Sequence, residues 1–80
     1  MTAKVAQVLK AAIAKTKTLN TGKVFRLSAL FQPGYLDTHL SSQEREELEI
    51  EYFLAYRRGD IQGIKFEKEY MGKRSEYEKL

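Results

Sequence analysis

Six cations gather toward the C-terminal end of the chain: Arg57, Arg58, Lys65, Lys68, Lys73 and Arg74. Arginine offers a planar fork of donors and lysine a compact charge, and both types neutralise phosphate oxygens. Tyr70 stands among them with a ring able to stack on a base. Lys23 and Arg26 are two further candidates for backbone phosphate contact. The chemistry open to such a set is recognition. Bond-making chemistry has little to work with. The chain has no cysteine, and its single histidine, His39, has no second group spaced to orient it, so a Ser-His or Cys-His arrangement has no support. Glu44, Glu46, Glu47, Glu49 and Glu51 lie along one amphipathic run and read as a solvated face, not as a general acid with its base. The glycines are isolated turn residues with no phosphate-cradling spacing, and no metal-ligand spacing stands out. The expectation is a non-enzyme with no catalytic residue, no metal and no cofactor.

Charge is distributed unevenly. Net charge is +3, yet residues 1–36 carry six cations and no acid, residues 37–60 sum to −4, and residues 61–80 sum to +1. A basic first half favours a polyanionic partner. Glu67, Glu69, Glu76 and Glu78 dilute the field of the last segment. Eighty residues make one domain. A chain of this length buries only about 60% of the surface its unfolded form exposes, so its core is small. Without disulfides that core must come from Leu, Ile, Val, Phe and Tyr, and the lack of cysteine fits a cytoplasmic protein. No apolar run approaches the roughly 18 residues of a membrane span, and no secretory peptide is read at the N-terminus.

The elements that must position these residues follow from periodicity. Val5, Val8, Leu9, Ala12 and Ile13 recur on one face of a helix over residues 1–18, with Thr2 as its cap. Lys23 to Leu27 read as a short strand with Phe25 and Leu27 inward. Ser28 is expected to cap a brief helix over Ala29, Leu30 and Phe31, and Pro33-Gly34 suits the centre of a type II turn. Tyr35, Leu36 and Leu40 read as a loop or short turn packed on the core. A long helix spans residues 41–58, opened by a capping box of Ser41 and Glu44 and closed by Gly59. Its core stripe is Leu48, Tyr52, Ala55 and Tyr56, widened by Ile50, Phe53 and Leu54, with Glu44, Glu47 and Glu51 opposite. Residues 61–79 form a hairpin, with strands over 61–67 and 75–79 and a basic loop between them.

A capped helix followed by a hairpin with a basic tip is how a winged-helix domain ends. The expected fold is therefore α+β, a winged helix-turn-helix of three helices with a small antiparallel sheet and a C-terminal wing hairpin. Helix-turn-helix proteins place the start of the second helix in the major groove. Here that start reads Gln43-Glu44-Arg45-Glu46-Glu47, which phosphates repel. Contact then falls to the wing and the basic N-terminal half, or the nucleic acid is single-stranded, or the target is a protein.

Several short motifs carry a resemblance. Lys23 to Phe31, Gly34-Tyr35, the capped helix, Gly63-Ile64 and Tyr77-Glu78-Lys79 resemble the small domains of unknown function found in Gram-positive bacteria, their plasmids and mobile elements. The resemblance spans roughly Leu19 to Lys79. This chain has Leu36 where that family often carries a large aromatic, and its long helix is more acidic. Members of the family look like winged helices, and some are associated with single-stranded DNA binding beside replication genes. The resemblance implies a small DNA-binding accessory of replication or transcription in a mobile element or phage. Two other readings stand beside it: docking on a larger enzyme or regulatory protein through the acidic helix or the first helix, and a homodimer that exchanges the first helix.

Overall fold

The computed structural model describes the backbone of residues 1–70 and 74–80, and the side chains of residues 1–67 and 75–80. The chain runs α1 (Ala3–Thr16), β1 (Val24–Phe25), a 3-10 turn (Leu27–Leu30), α2 (Tyr35–His39), α3 (Ser42–Arg58), β2 (Ile64–Tyr70) and β3 (Arg74–Lys79). It is an α+β fold of three helices and a small antiparallel three-stranded sheet, in strand order β1-β3-β2.

Local chemistry sets the helix limits. Thr2 accepts from the Val5 amide at 3.1 Å and opens α1. Ser41 accepts from the Glu44 amide at 3.1 Å, while the Glu44 carboxylate accepts from the Ser41 amide at 2.9 Å, so the reciprocal box at the head of α3 is complete. Gly59, at φ 86°, closes α3 in the left-handed conformation that glycine adopts without strain. Gly34, at φ 80°, takes the second central position of a turn in which the Tyr35 amide donates to the Gln32 carbonyl at 3.0 Å, as a type II turn requires.

Four expectations are corrected. The strand at Lys23 to Leu27 shrinks to Val24–Phe25, with Val24 opposite Glu78 and Phe25 opposite Tyr77, because the chain turns into the 3-10 turn at Leu27. The Ser28-capped helix is instead the 3-10 turn beginning at Leu27, which buries Leu27 and Leu30. Tyr35 to His39, expected as a loop or short turn, form a helix, with Leu36 and Leu40 packed into the core as expected. In the hairpin, β2 starts at Ile64 and reaches Tyr70, which pairs with Arg74, so strand takes up much of the expected loop. An irregularity between Phe66 and Lys68 keeps Phe66 opposite Tyr77 and moves Lys68 opposite Glu76.

The core lies between α1, α3 and the inner face of the sheet. Val5, Val8, Leu9 and Ala12 of α1 meet Leu48, Tyr52 and Ala55 of α3 over Phe25, Ile64 and Tyr77. Tyr77 is the hub, with ring centroids 5.8 Å from Phe25, 5.1 Å from Tyr52, 6.0 Å from Tyr56 and 5.7 Å from Phe66. Buried Thr16 donates to the Ala12 carbonyl at 2.8 Å, so the Tyr52 hydroxyl, 2.8 Å away, donates to Thr16 and ties α3 to the end of α1. Phe53 and Tyr56 are half-buried against this core, but Ile50 and Leu54 are not part of it: they are 59% and 42% exposed. The widened apolar arc expected of α3 therefore has an uncovered flank. Among the described residues no helix is long and apolar enough to cross a membrane.

Candidate nucleic-acid interface

The expected phosphate-binding residues divide into three groups. The first lies at one end of the sheet. Lys23 precedes β1, and its carbonyl accepts from the Lys79 amide at 2.8 Å, while the Gly22 amide donates to the Lys79 carbonyl at 2.7 Å. Lys79 lies opposite Ile64, and Lys65 follows one residue further along β2, opposite Glu78. The Leu80 amide donates to the Gly63 carbonyl at 2.8 Å, so this same end receives the connection from α3, whose last turn carries Arg57 and Arg58. Lys23, Lys65, Arg57 and Arg58 are all exposed. Lys79 belongs with them and was not singled out from the sequence. It escaped notice because a terminal strand residue becomes a neighbour of Lys23 only through pairing across the whole chain.

Acids temper this end. Lys65 pairs with Glu67 at 3.4 Å, and Arg58 pairs with Asp60 at 3.1 Å. Arg57 lies over the Phe53 ring, 5.9 Å from its centroid. These are surface contacts of small individual worth, and a phosphate can compete with them.

The second group is Arg26 alone. It lies 3.8 Å from Glu76 across β1 and β3, and it faces a cleft shared with Asp37, Arg45, Glu46 and Glu49. Arg45 is held there by Asp37 and by Ser42 Oγ at 3.1 Å. With so many carboxylates about it, this cleft is a poor phosphate site.

The third group is the hairpin tip. Lys68 and Tyr70 belong to β2 and Arg74 to β3, by backbone register. Their side chains, and Lys73 altogether, lie outside the described residues.

A second surface escaped the sequence reading. Phe31, Tyr35 and His39 form a stacked column, with centroids 4.9 Å and 4.0 Å apart. Lys15 Nζ caps it 5.5 Å from the Phe31 ring centre, and Lys4 lines the shallow groove beside Tyr35 and His39. His39 Nδ1 lies 2.9 Å from the Tyr35 carbonyl; since a carbonyl only accepts, Nδ1 carries the hydrogen and Nε2 is left for an outside partner. The available signal was the spacing of ring residues at i, i+4 and i+8. Pro33 and Gly34 hid it, because they break the helix that such spacing implies.

The start of α3 is acidic in space as in sequence. The Ser41 amide hydrogen bond lowers the Glu44 carboxyl from its ordinary value and favours its charged form. Among the described residues, no group of three or more His, Asp or Glu side chains is arranged to hold a metal ion. No family model matches the chain, and neither a curated protein nor a solved structure does.

Proposed function

We propose that this chain is a small winged-helix DNA-binding accessory protein that grips the nucleic-acid backbone through its sheet end and wing and not through the start of α3. One observation carries the reading: the helices and strands run α1-β1-α2-α3-β2-β3 with β3 inserted between β1 and β2, an order that supports a winged-helix assignment. The exposed cations Lys23, Lys65, Arg57 and Arg58 support backbone contact from the sheet end. The acidic first turns of α3 favour a mode in which that helix stays out of the major groove. The Phe31, Tyr35 and His39 column beside the α1 lysines favours single-stranded over duplex DNA, because stacking needs unpaired bases. A role in replication or transcription of a mobile element or phage rests on the family resemblance.

The test is fluorescence anisotropy with labelled single-stranded and duplex DNA of equal length at two salt concentrations. Binding is expected to be salt-sensitive and tighter to the single strand. Replacing Lys23 and Lys65 together by Ala should weaken it about tenfold and reduce the salt slope by about two, one for each phosphate no longer neutralised. The Lys73→Ala/Arg74→Ala pair tests the wing in the same way. Absence of binding to either DNA at low salt sinks the proposal.

A further inference from the structure

The outermost stripe of α3 runs Gln43, Glu47, Ile50, Leu54, Arg57, a spacing of four, three, four and three, which is the seam spacing of paired helices. Glu46 and Arg58 flank it. The stripe is acidic at its start, apolar at its middle and cationic at its end. Among the described residues Ile50 and Leu54 are two of the few large apolar side chains left exposed, and they adjoin each other one helical turn apart. The order is symmetric about the level of Tyr52, which points the other way into the core. Turn a second α3 antiparallel against the first, and Ile50 meets Leu54 of the other copy and Glu47 meets Arg57. Every attractive pair then occurs twice, as a twofold axis demands of an isologous interface.

From this self-complementarity we infer that α3 is a homodimerisation helix, its outer face closing antiparallel on the same face of a second copy of this chain. A parallel pairing is unfavourable, because it sets Glu47 against Glu47 and Arg57 against Arg57. A partner of another sequence is not needed to explain a stripe that matches itself. The charges already have minor occupations: Glu47 accepts from the Thr2 amide at 3.4 Å, and Arg57 lies over the Phe53 ring, 5.9 Å from its centroid. These are surface contacts of small individual worth and can rearrange. One helix on each side makes a small interface, so the dimer is expected to form at micromolar and not nanomolar concentration. The inference does not depend on DNA binding. It accounts for an acidic helix in the position where a groove-reading helix is expected, and it would give the assembly two sheet ends and two wings.

Sedimentation equilibrium on the full chain, without nucleic acid, from about 1 to about 500 micromolar covers the range expected for so small an interface. Concentration-dependent dimer is expected. Ile50→Asp should abolish it. Glu47→Arg and Arg57→Glu should each weaken association by about tenfold or more, since each places two like-charge pairs across the axis. An equimolar mixture of those two variants should recover the dimer, because each copy then supplies the charge the other lacks. Circular dichroism of each variant separates impaired association from impaired folding, and recovery in the mixture is itself proof that both variants fold. Wild-type protein that stays monomeric throughout the range overturns the inference. So does a dimer indifferent to all three substitutions, or a pair of monomeric charge variants that do not recover on mixing.

Discussion

Tyr52 and Tyr77 occupy the same buried ring cluster, yet their hydroxyls differ in what they find there. Tyr52 donates to Thr16, whose own hydrogen goes to the Ala12 carbonyl, so a chain of two hydrogen bonds ends on α1. The Tyr77 hydroxyl is buried beside Ser75 but outside hydrogen-bonding geometry. A buried hydrogen bond is worth about 1 kcal/mol net, whereas an unpaired buried hydroxyl is a liability of similar size. Tyr52→Phe is therefore expected to lower stability by about 1 kcal/mol, and Tyr77→Phe to leave it unchanged or raise it by up to about 1 kcal/mol. Urea denaturation of both variants checks the contrast; equal losses in the two would show that ring packing and not hydroxyl pairing sets these positions. The identity of Tyr77 as core was legible from strand alternation, because Phe66 and Tyr77 face each other across the hairpin. The pairing of Tyr52 with Thr16 was not, since it joins residues on two helices that only the tertiary fold brings together.

At the level of elements, the caps and turn that a few neighbouring residues close were legible, whereas the strand limits, the 3-10 turn at Leu27 and the short helix Tyr35–His39 were not. The capping box at Ser41, the left-handed Gly59 and the Gln32 to Tyr35 turn each depend on residues within a few positions of one another. The strand limits depend on which residues find a partner across the sheet, and β1 proved shorter and the hairpin strands longer than their composition implied. The outer stripe of α3 shows the same limit. A helical wheel identifies Ile50 and Leu54 as apolar, but nothing local says that α1 and the sheet stop short of covering them. The candidate site divides in the same way: its cations were visible as residue types, whereas the closeness of Lys79 to Lys23 is a product of strand pairing. Since α3 supplies the central face of the core, its cap is a stability element. Ser41→Ala removes the acceptor for the Glu44 amide and is expected to cost about 1 kcal/mol. Glu44→Gln keeps a side-chain acceptor for the Ser41 amide and should cost less. Thermal melts followed at 222 nm measure both, and an unaltered melting temperature in Ser41→Ala would remove the capping argument.

For the molecule as a whole, the tyrosine cluster sets an alkaline limit. Burial pushes the Tyr52 phenol up to about 12 and the Tyr77 phenol higher still above its ordinary value. In the unfolded chain both ionise near 10. Between those values the unfolded state holds fewer protons than the native one, so stability is complete below about pH 10 and falls as pH rises toward the folded values. Urea midpoints at a series of pH values from about 9 to 11 should show that decline, and the Tyr52→Phe/Tyr77→Phe double variant should show a shallower one. The position of β3 has a different consequence. It is the last strand in sequence and the middle strand in space, bonded to β1 on one side and β2 on the other. During synthesis, with the N-terminal part emerging first, α1 and α3 can begin to pack while β1 has nothing to pair with. Only when the residues through Lys79 have cleared the ribosomal tunnel can the nascent chain close its sheet, seat Tyr77 among the rings and bring Lys79 beside Lys23. Completion of the core and assembly of the basic sheet end are thus one event, and a ribosome stalled before β3 releases neither.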